Sequence, residues 1–304
     1  MGQLEKIVVG YDFRAGGETA ARSAVELAKR CGAALRLVHV VEPYPLYQRL
    51  SHPFTPPYST EELVQKAGEQ LAALASSAAY SALHVEYEVR TGKPFMELIL
   101  ARRAWQADLL VVGGTAKGEE RFLGSTGEHV VQKAMVPVLI AKQPLRATAK
   151  TFFVPIDFSP CAKRAAEEAI VWAGHFGGQL FLFHVLEFPS AYAFAGPEMG
   201  GAAAVPLLTP EDLEGEWAAF LADLPGLKNI GWEKSTVEGH AVTTIVQAAE
   251  EHKADMIIMG TNGRTGLAHM LLGSVAEGVV RTAACPVLTI RPEAFQFELP
   301  EHSK

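Results

Sequence analysis

The sequence predicts an α/β protein made of two tandem open parallel-sheet domains. Three observations lead there. The chain repeats itself once, each copy alternates strand-like with helix-like segments, and the strand-like segments are apolar almost throughout. Alternation with buried strands is the mark of a parallel sheet covered by helices on both faces. Right-handed crossovers then fix where those helices lie.

The repeat is legible by eye. KIVVGYDFRAGGETAARSAVELAKRCGAALRLVHVVEP (Lys6–Pro43) returns as TFFVPIDFSPCAKRAAEEAIVWAGHFGGQLFLFHVLEFP (Thr151–Pro189). Asp12 matches Asp157, and His39-Val40 matches His184-Val185. Further on, ADLLVVGGT (Ala107–Thr115) returns as ADMIIMGTN (Ala254–Asn262), and LGSTGEHVVQKAMVPVLI (Leu123–Ile140) as LGSVAEGVVRTAACPVLTI (Leu272–Ile290). Matches that recur in one order across both halves indicate a duplicated unit.

Each unit opens on an apolar run, Ile7–Gly10 or Phe152–Ile156, read as a strand. A helix follows, over Glu18–Lys29 or Pro160–His175. Ser159 is placed to cap the second of these, with Pro160 at its first position, and Gly32 and Gly177 stand where helices end. The second strand is Leu35–Val41 or Leu180–Leu186. A variable stretch and a helix lead to a third strand near His84–Arg90 or Trp232–Glu238. A short helix (Phe95–Trp105; Ala241–His252) precedes a fourth strand, Leu109–Gly113 or Met256–Gly260. A glycine loop, a helix and a last strand (Pro137–Ala141; Pro286–Arg291) close the unit.

The predicted domains are residues 1–143 and 150–293, with a polar tail at 294–304. The join, KQPLRATAK (Lys142–Lys150), reads as a polar linker. Two longer irregular segments, Pro43–Thr60 and Phe188–Asp212, follow the second strand of each half.

Composition sets limits. With 304 residues and 49% hydrophobic side chains, each half can bury its own core. A net charge of −7 without a dense Lys/Arg run argues against a nucleic-acid backbone footprint. Cys31, Cys161 and Cys285 are scattered and odd in number, which argues against a zinc site or a disulfide framework and fits a reduced, cytoplasmic setting. No apolar stretch is long enough for a membrane span, and MGQLEKIVVGYD lacks the layout of a signal peptide.

The sharpest feature is the loop that leaves the fourth strand of the second half: Gly260-Thr-Asn-Gly263-Arg-Thr-Gly-Leu-Ala-His-Met-Leu-Leu-Gly273-Ser274. Open α/β sheets bind ligands outside the carboxyl ends of their strands. Glycines let backbone approach a ligand, and the helix opened by Gly273-Ser274 points amide N–H groups at an anion. Arg264 adds a positive charge to that loop.

The spacing Gly-x2-Gly-x9-Gly-Ser resembles the ATP-binding signature of universal stress proteins, and the resemblance extends over the whole chain, twice. It implies a Rossmann-like fold of the adenine nucleotide alpha hydrolase-like type, with ATP as ligand and Mg left open as its companion. It places phosphate contacts on Gly260, Gly263, Gly273 and Ser274, with Val275 following them. It places Asp157 near adenine and ribose, and Val185 against adenine through its backbone. In the first half the corresponding residues are Asp12, Val40, Gly114, Gly124 and Ser125. There only nine residues separate Gly114 from Gly124, against twelve between Gly260 and Gly273. Lys117 stands in the place of the second glycine, beside Glu119 and Glu120. Nucleotide is therefore expected mainly in the second domain.

Three functions are compatible with this reading: a regulatory ATP-binding protein, a slow ATPase, and a module that binds an apolar ligand or a partner. No catalytic residue and no metal-ligating side chain is assigned. His39 and His184, inside apolar strands, read as satisfied core histidines, and Cys161 as a small structural residue at a helix start. The resemblance also implies pairing of the two halves through their last strands, with a homodimer as a further option.

Overall fold

The computed structural model describes residues 4–43, 58–114, 124–187, 209–263 and 272–292. The first half comprises β1 (Lys6–Gly10), α1 (Ala15–Cys31), β2 (Ala34–Val41), α2 (Thr60–Ala75), β3 (Val85–Thr91), α3 (Pro94–Trp105), β4 (Leu109–Gly113), α4 (Ser125–Lys133) and β5 (Val138–Ala141). The second repeats it as β6 (Thr151–Ile156), α5 (Pro160–Phe176), β7 (Gln179–Leu186), α6 (Pro210–Ala222), β8 (Gly231–Glu238), α7 (Ala241–Glu251), β9 (Met256–Gly260), α8 (Ser274–Thr282) and β10 (Val287–Ile290). A short 3₁₀ turn, Pro225–Asn229, precedes β8.

The strands form one sheet in the order β3-β2-β1-β4-β5-β10-β9-β6-β7-β8. Every pairing within a half is parallel. Among the described residues the one antiparallel pairing joins the halves, with Leu288 opposite Leu139, Val287 opposite Ile140 and Thr289 opposite Val138. Both leucines are fully buried. The Thr289 hydroxyl adds a buried hydrogen bond to the Val138 carbonyl across the seam (3.2 Å). The last strands are thus the contact between the repeats, as the family resemblance led us to expect.

Alternation along each strand feeds two apolar layers. Ile7, Val9, Leu35 and Leu37 face α1 and α2, whereas Val8, Leu110 and Val112 face α3 and α4. α1 and α5 lie close on the sheet because their inner faces are alanine-rich: Ala20, Ala21, Ala24 and Ala28 in one, Ala162, Ala165, Ala166, Ala169 and Ala173 in the other. Both helices end on a left-handed glycine, Gly32 at φ 70° and Gly177 at φ 58°. α5 starts where its cap predicts, with Ser159 Oγ accepting the Ala162 N–H at 3.1 Å. α1 starts at Ala15, earlier than expected, because Arg14 holds the cap position and its side chain caps nothing.

The join between the halves is more than a polar linker. Lys142, Leu145 and Ala149 are buried. Leu145 N–H donates to Ser23 Oγ of α1 at 3.0 Å, and Arg30 donates to the Ala147 carbonyl. Its polar composition concealed this, because the segment is held by backbone hydrogen bonds and two small apolar anchors.

Candidate functional site

Within each half the chain runs outward from β1 to β3, then returns to the other side of β1 as β4. β6, β7, β8 and β9 do the same. The strand order reverses between β1 and β4 and between β6 and β9, and a crevice opens at the carboxyl ends there. Its volume is about 780 Å³ in the first half and about 470 Å³ in the second. Both lie within the ~300–1,000 Å³ usual for small-molecule sites.

One wall is the end of the second strand. β1 stops pairing at Gly10, opposite Val38, and β6 at Ile156, opposite His184. The second strands continue past these points. Val41 and Leu186 turn their carbonyls outward, to Gly92 N–H and Gly239 N–H. Neighbouring residues of a strand direct their backbone groups to opposite sides. Val40 and Val185 therefore turn theirs inward, past the ends of β1 and β6, and both line the crevices.

The floor is a turn that sequence reading missed. Phe13 and Phe158 take left-handed conformations, at φ 58° and 59°. For a non-glycine residue this costs about 1–2 kcal/mol. Each ring lies on the strand histidine, Phe13 on His39 with centroids 4.7 Å apart and Phe158 on His184 at 4.6 Å. His39 Nδ1 lies 2.7 Å from the Tyr11 carbonyl, and His184 Nδ1 lies 2.7 Å from that of Ile156. A carbonyl only accepts, so Nδ1 carries the proton in both. The histidines pin the ends of β1 and β6, which is the structural role expected of them. The turn sets Asp12 and Asp157 at the crevice, and both line it.

The two aspartates are engaged differently. Asp12 Oδ1 accepts from Arg14 N–H at 3.0 Å and Gly17 N–H at 3.2 Å, doing the capping that Arg14 cannot. Asp157 Oδ1 accepts from Ser159 N–H at 3.0 Å, while the Ser159 hydroxyl caps α5. Gly263 is drawn against Asp157: a Cβ on it would fall 2.7 Å from Asp157 Oδ2.

The opposite wall is the loop and the start of the last helix. Gly260 ends β9 against Cys161, where a Cβ would meet Sγ at 2.8 Å and the Cys161 carbonyl carbon at 3.0 Å. Cys161 is buried and donates from Sγ to the Ile290 carbonyl at 3.3 Å, a packed structural thiol. Gly273 N–H folds back onto the Thr261 carbonyl at 2.7 Å, so that amide is used within the loop. Ser274, Val275 and Ala276 follow as the first turn of α8, and all three line the crevice. Their N–H groups have no intrahelical acceptor. Ser125, Thr126 and Gly127 occupy the same place in the first half. There Gly124 sits at φ 72°, a conformation that favours glycine, whereas Gly273 is extended at φ −71°.

The first-half glycine is reassigned. Gly113, not Gly114, ends β4 as Gly260 ends β9, and a Cβ on it would lie 2.3 Å from the Gly16 backbone. Gly114 N–H reaches the Ala141 carbonyl just as Thr261 N–H reaches that of Ile290. Counted from Gly113, the first loop has ten residues before Gly124, two fewer than its counterpart. The repeat ADLLVVGG against ADMIIMGT already carried this alignment. Arg264, Lys117, Glu119 and Glu120 lie outside the described residues, as do 44–57 and 188–208.

Three charged residues went unread in the sequence. Glu187 lines the second crevice and caps α7, its Oε1 accepting Ala241 N–H at 2.7 Å. Glu42, its counterpart, lines the first crevice with Pro94, which opens α3 and has no N–H to offer. Lys142, just beyond β5, lines the first crevice.

The sequence model of the universal stress protein family matches residues 3–142 and again 148–291. A universal stress protein of Methanocaldococcus jannaschii is 36% identical over 147 residues, covering 47% of this chain and 82% of its own. One from Mycolicibacterium smegmatis is 28% identical over 305 residues, covering 94% of this chain and 97% of its own. The crystal structure of a universal stress protein from Archaeoglobus fulgidus superposes with a TM-score of 0.71 at 21% identity, covering 95% of this chain and 99% of that one. With two full matches to the family and a doubled Rossmann-like sheet, the chain belongs to the universal stress protein family as a tandem member.

Proposed function

We propose that the chain is a regulatory ATP-binding protein that holds nucleotide mainly in the crevice of its second half, with residues 1–143 and 150–293 as its two units. The observation that carries this reading is the pairing of two walls. The first-turn amides of Ser274, Val275 and Ala276 stand on one, and the inward backbone of Val185 with the Asp157 carboxylate stands on the other. Amides at a helix start suit the phosphates. A strand edge offers the donor-and-acceptor pattern an adenine edge requires, and a carboxylate suits ribose hydroxyls. Gly263 and Gly273 leave room where a side chain would strike Asp157 Oδ2 or the Thr261 carbonyl. Arg264 supplies charge from the loop, and Mg, where present, rides on the phosphates.

Binding rather than turnover is favoured because Glu187, the other carboxylate among the described residues lining this crevice, caps α7 at Ala241 N–H, while Asp157 is assigned to the ribose. Three unpaired cysteines, two of them buried, suit a reducing compartment such as the cytoplasm. The last strands pair within the chain, so a homodimer would use a different surface. Equilibrium dialysis with labelled ATP tests the reading. The wild type retains nucleotide, and the Gly273→Val, Ser274→Ala double variant loses at least ten-fold in affinity, about 1.4 kcal/mol. Equal retention by both proteins would refute it.

A further inference from the structure

Lys142 and Arg291 are matched residues, each just beyond the last strand of its half. Each crosses the seam to the other half. Lys142 Nζ donates to the Arg281 carbonyl at 3.0 Å, near the end of α8. Arg291 Nη2 donates to the Val131 carbonyl, near the end of α4. A cation at a helix C-terminus offsets the negative end of the helix dipole. Each cradle helix thus meets a phosphate-binding crevice at its start and a cation from the other half at its end.

The exchange is not symmetric. Lys142 also lines the first-half crevice, and its stem passes Gly114, where a Cβ would meet Cδ at 3.1 Å. Arg291 is not among the residues that line the second crevice. Lys142 is only 5% exposed, and the Arg281 carbonyl takes one of its three N–H groups. Burial lowers its pKa, and among the described residues no carboxylate offsets that desolvation. A buried ammonium with donors to spare and, among the described residues, no carboxylate partner, on the wall of a crevice also lined by a helix start, is suited to an anion.

We propose that Lys142 belongs to two sites at once: its ammonium meets a phosphate-bearing ligand in the first-half crevice, and it caps the helix that cradles nucleotide in the second, so that filling either crevice weakens the other. This rests on the ATP reading of the second half. The sign follows from charge. A phosphate that draws Lys142 toward the first crevice removes the counter-charge at the end of α8 and with it part of the attraction at the start of that helix. A helix-end charge is worth about 0.3–1 kcal/mol at its own end and less at the far end, so the coupling amounts to at most about five-fold in affinity. Linkage makes it reciprocal.

Calorimetric titration of the full chain with ATP, with native mass spectrometry counting bound nucleotides, tests it. The wild type binds two nucleotides, one tightly and one weakly. Disabling the second site with Gly273→Val and Ser274→Ala tightens the first-half site, by at most about five-fold. In a Lys142→Met background the same disabling leaves first-half affinity unchanged, and in Lys142→Arg, which keeps the charge, the tightening persists. Lys142→Gln, which removes the charge but keeps a donor for the Arg281 carbonyl, covers the case in which Lys142→Met fails to fold, and it too shows no tightening. One nucleotide in the wild type and none in the disabled protein would overturn the inference and leave the ATP reading standing. Two nucleotides without coupling, or coupling that survives Lys142→Met, would also overturn it. No nucleotide in any protein would remove both.

Discussion

Gly263 stands so close to Asp157 that a single added Cβ would fall 2.7 Å from Asp157 Oδ2. The obstructed atom is the tip of a side chain, which can swing aside, and not backbone. Gly263→Ala therefore displaces the carboxylate from the crevice without unsettling the core. The expected result is about a ten-fold loss of ATP affinity, about 1.4 kcal/mol, with a thermal midpoint close to wild type. Gly260 faces the Cys161 backbone instead, so its substitution would confuse folding with binding. Differential scanning calorimetry beside dialysis separates the two. A Gly263→Ala protein that binds ATP normally would show that the aspartate does not contribute.

The strands were legible because buried parallel strands leave continuous apolar runs and the repeat supplies each pattern twice; the seam followed from the family resemblance. The Gly-Ser opening of α8 was legible because its spacing is rare. Other parts of the site were not. The left-handed Phe13 and Phe158 leave no mark, since phenylalanine is an unlikely choice for that conformation and only tertiary contact with His39 and His184 holds it. Lys142 read as part of a linker because its partner, the Arg281 carbonyl, lies 139 residues away. Gly113 lost its place to Gly114 because two adjacent glycines offer a spacing count no anchor, whereas the end of β4 does.

Cys285 gives the fold an alkaline limit. Burial pushes its thiol up from an ordinary 9.0 to about 12. Between those values the folded chain holds a proton that the unfolded chain has released. The stabilising contribution is whole below about pH 9 and is lost as pH rises toward 12. Tyr80, raised to about 12 by burial, acts in the same direction over a narrower window. The unfolding free energy from urea titrations should fall steadily above pH 9, by up to about 1.4 kcal/mol per pH unit for each such group. Cys285→Ala should start lower at pH 7, from the lost packing, yet decline less steeply. Parallel pH profiles for the two proteins would argue that the thiol does not drive the loss.

Asp12 and Asp157 hold one position in the repeat and accept different hydrogen bonds. Arg14 has no acceptor to cap α1, so Asp12 reaches on to Gly17 N–H, and no residue replaces it when it is removed. The Ser159 hydroxyl takes the Ala162 N–H of α5, so that helix keeps a cap when Asp157, which lines the crevice, is removed. Asp12→Ala should lower stability by about 1 kcal/mol, the usual cost of a lost N-cap, and leave ATP retention by the second half intact. Asp157→Ala should cost less than half of that in stability and reduce ATP affinity about ten-fold. Ser159→Ala should resemble Asp12→Ala in size, since it removes the equivalent cap from the other half. Chemical denaturation and dialysis on the three variants give six readings. The assignment fails if Asp157→Ala unfolds more readily than Asp12→Ala, because the second aspartate would then be holding structure and not a ligand.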